Sequence, residues 1–186
     1  MVTAIHHKPL YDGLRVTREE YLDLKDDGFK YDMIDGVLHT SPSAFFEHND
    51  ILSEMVSLLR VYLKINQSGK AVVETDVYLP DGGDVLRPDI SVILQENYKI
   101  IKGHIHGIPD IVIEILSDST RLRDLGVKAH RYLTNGIKEY WICDPDEKTI
   151  SIWHNQDKKN WNKKTGDTLE SLLLPKFILK NEIFHE

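Results

Sequence analysis

Among 186 residues there is a single cysteine, Cys143, so the chain can close no internal disulfide and cannot build a cysteine-based zinc site by itself. A buried structural thiol is its expected state. No apolar run approaches the roughly 18 residues that a bilayer span requires, and the opening stretch MVTAIHHKPLYDGLRV has no signal-peptide apolar core. We therefore expect a cytoplasmic protein without membrane contacts. Positive charge is also scarce: 23 Lys and Arg stand against 30 Asp and Glu, for a net charge of −7. That balance excludes a surface gripping nucleic acid everywhere by neutralising phosphates, although a local basic cleft is compatible with it. Arg121, Arg123, Lys128 and Arg131 form one candidate group. Lys158, Lys159, Lys163 and Lys164 form another that reads better as a solvated face or hairpin tip. Repeats and low-complexity linkers are absent, and 41% hydrophobic with 28% charged residues fits one folded domain over residues 1–186.

What is present reads as a mixed α/β protein. Thr17 with Glu20 three positions on has capping-box spacing, which predicts a short helix. KYDMIDGVLHTSP holds two short β-type runs around Asp35-Gly36, a dipeptide that tolerates the positive φ of a tight hairpin turn. From about Ser43 to Asn66, residues Ile51, Leu52, Met55, Val56, Leu58, Leu59, Tyr62 and Leu63 recur at amphipathic-helix spacing. Strands follow in AVVETDVYL, which PDGGD stops, then in RPDISVIL, IPDIVIEIL, EYWICDP and TISIWH, while KGHIHGIP with His104 and His106 reads as a loop. Between IVIEIL and EYWICD, the residues Leu122, Leu125, Ala129, Tyr132 and Leu133 share one helical face, and Asn135-Gly136 terminates it. A strand, a crossover helix of this length and a second strand predict a parallel pair within one central sheet flanked by helices. Trp141, Trp153 and Trp161 gather near the later strands, where core or interface burial is the expected role.

Two acids stand inside apolar β-type runs. Glu114 is the sole charge in IVIEIL, and Asp89 enters ISVIL directly after Pro88. Burying an unpaired carboxylate costs several kcal/mol or forces it to take up a proton, so a basic partner, a metal ion or an opening to solvent must compensate. If the two strands are neighbours, hard carboxylate oxygens suit Mg²⁺ or Mn²⁺ better than zinc. Lys128 supplies a third element, because positions 125, 128, 129, 132 and 133 trace the inward stripe of the crossover helix. Its stem could cover core while the ammonium snorkels outward, or the ammonium could reach the carboxylates. Spacing leaves open a cluster of Asp, Glu and Lys that merely satisfies itself.

RPDISVI followed by PDIVIEILSDSTRLRDLGVKAHRYLTNGIKEYWICDP resembles the Uma-two family of putative restriction endonucleases, and YDMIDGVL, SPSAFFEHNDILSEMVSLL and LLLPKFILKNEIF extend the likeness from about Thr17 onward. The resemblance implies the PD-(D/E)XK nuclease fold, a restriction-endonuclease-like mixed central sheet flanked by helices, and a metal-dependent endonuclease acting on DNA. It implies Asp89 and Glu114 as the two acids. The superfamily's lysine two positions after the second acid is replaced here by Leu116, and Lys128 on the following helix matches the position used by similar families. Asp32 stands where the family usually has Glu, Asp118 where it usually has Pro, and His48 matches a common histidine; capping of the crossover helix is the expected role of Asp118 or Ser119. Asp89, Glu114 and the Ile115 carbonyl are thus expected to hold Mg²⁺ or Mn²⁺, with Lys128 beside them, Asp32 and His48 in support, and Arg121 and Arg123 toward the phosphate. The rival expectations are an inactive nuclease-fold module that binds nucleic acid or a protein, and a small-substrate hydrolase with paired acid and base. The apolar LESLLLPKFILKNEIF could pack on its own sheet or form a homodimer, which would suit cutting a duplex.

Overall fold

The computed structural model describes residues 8–41, 45–80 and 82–184. Helix α1 (Arg18–Leu22) precedes strands β1 (Lys30–Ile34) and β2 (Val37–Ser41) and the long helix α2 (Phe46–Ile65). Strands β3 (Gly69–Val73), β4 (Val77–Tyr78), β5 (Val85–Leu86) and β6 (Ile90–Leu94) follow, then β7 (Ile101–Lys102), β8 (His104–His106) and β9 (Ile111–Ile115). The crossover runs through α3 (Arg121–Arg123), a π-helical turn (Asp124–Lys128) and α4 (Ala129–Asn135) to β10 (Glu139–Asp144). Strands β11 (Thr149–Asn155), β12 (Trp161–Thr165), β13 (Thr168–Glu170) and β14 (Ile178–Lys180) complete the set.

The central sheet has six strands in the order β12-β11-β10-β9-β6-β3. β9 and β10 are its parallel pair, as the crossover requires, and its other neighbours are antiparallel. Side-chain alternation divides its apolar residues between two layers. Ile111, Ile113, Ile115, Trp141 and Cys143 pack toward α2, whose buried Ile51, Met55, Leu59 and Leu63 recur every four residues. Val112, Leu116, Tyr140 and Ile142 face the crossover helix through Ala129 and Tyr132. Glu114, in step with Val112, therefore points at the crossover helix. Cys143 is buried as expected, and burial pushes its thiol pKa up.

The expectation of one sheet falls short, because a second six-stranded sheet, β2-β1-β5-β4-β8-β7, stands beside the central one. Its β1–β2 hairpin turns through Asp35 and Gly36 with φ of 51° and 73°, the left-handed pair a two-residue turn needs. The Thr17–Glu20 capping box is formed on both sides. His104 and His106 lie on a strand and not in a loop. β8 pairs with β4, and the Tyr78 ring stacks on His106 at 4.7 Å while meeting His104 edge-on, so one strand face accommodates both imidazoles.

The crossover helix departs most from its expected stripe. Leu122 is 87% exposed and Leu125 37%, whereas Asp124 and Lys128 are buried. The π-helical turn explains the change: the wider turn rotates the following residues relative to an ideal 3.6-residue repeat, leaving Ala129, Tyr132 and Leu133 inward as expected. No side chain caps the start of α3, so the role expected of Asp118 and Ser119 is not seen; Ser119 instead lies 3.1 Å from the Ser117 hydroxyl. The start of the long helix expected near Ser43 falls outside the described residues, as does Asp81 of the PDGGD turn. The later apolar segment forms the β13–β14 pair, whose Leu169 and Leu179 join the α2-side core together with Leu174, Phe177 and Ile183.

Candidate active site

β6 and β9 run antiparallel with Ile90 opposite Ile113, and one further step brings Asp89 beside Glu114. The main chain locks them together. Ile115 N–H donates to Asp89 Oδ2 at 2.6 Å, and Asp89 N–H points to Glu114 Oε2 at 3.4 Å. The crossover helix covers the other oxygen of Glu114: Lys128 Nζ lies 2.6 Å from Oε1, and the Tyr132 hydroxyl donates to the same atom at 3.1 Å. Lys128 is also 3.1 Å from Asp124 Oδ1 and 3.9 Å from Asp32 Oδ2. One ammonium thus faces three buried carboxylates, from β1, β9 and the π-helical turn.

Asp32 is held from two further sides, accepting the Arg87 N–H at 2.8 Å and an Arg123 guanidinium N–H at 3.2 Å. Arg123 also donates to the Thr40 carbonyl. His48, in the first turn of α2, directs Nε2 to Asp89 Oδ2 at 3.3 Å. Asp89, Glu114, Ile115, Lys128, Asp32 and His48 therefore converge, with Arg123 at their side. Arg121 turns away: its guanidinium makes paired bonds of 2.7 Å to Asp144 and a third contact with Asp146. Asp118 is exposed, and Leu116 is buried in the core on the face that Glu114 shares.

These groups open onto a cleft of about 450 Å³ lined by Lys30, His48, Arg87, Asp89, Glu114 and Lys128 among others. Burial drives the Glu114 pKa well above the usual carboxylate range, and the neighbouring Asp124 and Asp89 charges add to it against the pull of Lys128. Burial alone would lower the Lys128 pKa, but Asp124, Asp32 and Glu114 outweigh it and raise it, so the side chain remains an ammonium. For His48, burial opposes the proton while the hydrogen bond and charge of Asp89 favour it, and the balance is a raised pKa. The cluster thus sets Asp32, Asp89, Glu114 and Asp124 against Lys128, Arg123 and His48.

Sequence reasoning missed Asp124, Tyr132 and Arg87 as members of the site. Asp124 and Lys128 are four apart, a spacing that pairs acid and base on a helix, and this was a readable signal; Tyr132, four further on, read simply as apolar stripe. Nothing local marks Arg87, whose place depends on β5 lying beside β1.

A divalent cation needs oxygen donors that converge on one point. Among the described residues no three His, Cys, Asp or Glu side chains converge as a metal cage. Mg²⁺, however, commonly takes only one or two carboxylates and keeps several waters. Among the described residues Glu114 Oε2 makes only the long contact to Asp89 N–H, so hard oxygen capacity is left at the cleft. The residues fit such an ion.

The comparisons with known proteins agree with this architecture. A crystal structure of a putative nuclease belonging to DUF820 from Anabaena variabilis superposes with a TM-score of 0.78 at 23% identity, covering 91% of this chain and 97% of that one. The uncharacterized protein slr1290 of Synechocystis is 23% identical over 171 residues, 89% of this chain and 90% of the relative. The family model described as putative restriction endonuclease, Uma2, matches residues 18–182. With that match spanning both sheets and every residue of the cleft cluster, the chain belongs to the Uma2 family of putative restriction endonucleases.

Proposed function

We propose that the protein is a metal-dependent endonuclease that hydrolyses DNA phosphodiester bonds. The observation that carries this reading is the meeting of Asp89, Glu114 and Lys128 at one cleft. Restriction-endonuclease-like proteins usually use divalent metals, and here Asp89, Glu114 and the Ile115 carbonyl are the candidate donors for Mg²⁺ or Mn²⁺. Such an ion, when bound, lowers the pKa of its water and neutralises charge developing on the phosphoryl group. The Ile115 N–H and His48 orient the Asp89 carboxylate, and the Asp89 N–H faces that of Glu114. Lys128, kept charged by Asp124 and Asp32, presents an ammonium that can stabilise negative charge in a site shielded from water. Arg123 steadies Asp32, whereas Arg121 would have to leave Asp144 before it could meet a phosphate.

In this reading residues 1–186 act as one nuclease-like domain in the cytoplasm, and a homodimer would bring two clefts to the two strands of a duplex. Cleavage of labelled single- and double-stranded DNA with Mg²⁺ or Mn²⁺ tests it: Asp89→Ala and Glu114→Ala should abolish cleavage, and unchanged activity in either would refute the assignment. Leu116, standing where the wider superfamily's pattern has lysine, favours a second reading, an inactive nuclease-fold module that binds nucleic acid or a protein. Calorimetry separates the two, since the module reading requires partner binding without a Mg²⁺ or Mn²⁺ site.

A further inference from the structure

At the lip of the same cleft the chain departs from ordinary helix chemistry. Phe45 occupies the N-cap of α2, where short polar side chains are favoured because they bond the free amides of the first turn; among the described residues no side chain caps this helix. Nor does the ring gain burial in exchange, for Phe45 is 79% exposed and the adjacent Phe46 82%. Two neighbouring aromatic rings in water, one at a position that local preference assigns to Ser or Asp, contribute little to folding. Local rules that fail without a structural return mark functional positions. Phe45 lines the cleft that also holds Asp89, Glu114 and Lys128.

Charge narrows what these rings could contact. The arginines around the cluster are already paired: Arg87 with Asp76, Arg121 with Asp144, Arg123 with Asp32 and Arg131 with Asp84. Lys30 at the cleft wall is paired with Glu74, and the whole chain carries −7. A duplex keeps its bases stacked inside and meets a protein chiefly through its phosphates, which these paired cations do little to neutralise. An unpaired base offers a π-face instead, and stacking on an aromatic side chain binds it whatever its sequence.

We propose that Phe45 and Phe46 form a base-stacking subsite, and that the cleft takes single-stranded DNA or a strand end whose bases are already unstacked. This rests on the nuclease reading for the identity of the ligand as DNA, but its test does not depend on catalysis. A fluorescein-labelled single strand and the matching duplex are titrated by anisotropy in EDTA, at low and moderate salt. The single strand should bind more tightly, and Phe45→Ala with Phe46→Ala should weaken it roughly tenfold or more at both salt concentrations. Phe45→Trp should retain binding and show indole fluorescence quenched by the strand, a readout that a purely structural role would not produce.

Equal affinity for duplex and single strand, or binding unchanged in the double alanine variant, overturns the proposal. So does a variant that alters only the oligomeric state in size-exclusion chromatography, since the rings would then serve a second copy of the chain. If metal-dependent cleavage fails while Phe45-dependent strand binding persists, the catalytic reading falls and the subsite stands. Duplex cleavage unaffected by the alanine pair has the opposite meaning.

Discussion

Replacing Lys128 by Met removes the ammonium that faces Asp32, Glu114 and Asp124 and leaves a side chain of similar length. In the intact protein Nζ is 2.6 Å from Glu114, 3.1 Å from Asp124 and 3.9 Å from Asp32, with only 4% of the side chain exposed. At such distances each pairing is worth about 4 kcal/mol or more in a protein of effective dielectric about 20, but much of that offsets the loss of hydration of the charges. The net effect of removing one partner of a buried pair is about 3–5 kcal/mol, because the other charge stays buried without compensation. For a chain of this size each kcal/mol moves Tm by about 2–4 °C, so Lys128→Met should melt about 6–20 °C lower in EDTA. Asp124→Asn placed in the same chain removes one of the stranded charges and should recover part of the loss, a coupling that a double-mutant cycle in urea reads directly. A Lys128→Met variant within about 1 kcal/mol of the parent, or a double variant no better than the single, would refute the counter-charge role.

Further outcomes follow from other parts of the fold. His154 is buried with neither ring nitrogen fully hydrogen-bonded, and burial lowers its pKa below the ordinary 6.5 despite Glu139 nearby. The unfolded chain then takes up the proton first as pH falls, so this histidine's contribution is complete above the ordinary value and is lost below it; the stability of the parent relative to His154→Gln should decline between neutral and mildly acidic pH, and a pH-independent difference would contradict this. Gly69 opens β3 so close to β6 that a Cβ would lie 2.6 Å from the Ile93 carbonyl oxygen. Because that neighbour is backbone in a paired strand, Gly69→Ala should cost about 1–3 kcal/mol in denaturant, and a neutral result would show that the β3 edge shifts freely. Glu139 accepts from Trp141 Nε1, the Ser171 hydroxyl and the Leu172 N–H; Glu139→Leu should cost about 1–3 kcal/mol by leaving buried donors unmet and should loosen the segment around Ser171 in hydrogen exchange.

Local chemistry made much of this fold legible. Asp35-Gly36 had to be a tight turn because so few residues tolerate two positive φ values in succession, and the capping box of Thr17 and Glu20 is a contact within one helical turn. The four-residue spacing of Ile51, Met55, Leu59 and Leu63 marked the buried face of α2. Glu114 announced itself as a lone charge in an apolar strand, since burying it without a partner is expensive wherever the strand lies. Lys128 was placed inward, but partly for the wrong reason: the stripe that suggested it included Leu125, which is exposed once the π-helical turn is formed.

What tertiary structure decided was which distant groups meet. The second sheet brings Asp32 to Lys128 across 96 positions of chain, and no periodicity in KYDMI encodes that. Arg121 and Arg123 are indistinguishable as a motif, yet one binds Asp144 on β10 and the other Asp32 on β1, because residues two apart on a helix point in different directions. The exposure of Phe45 is likewise invisible to a pattern that counts apolar residues. The sequence by itself determined that two acids and a lysine needed partners; packing determined which they found, Lys128 for Glu114 and the Ile115 N–H with His48 for Asp89, because burial energies are local to each residue while Coulomb and hydrogen-bond energies depend on distances that only the folded chain sets.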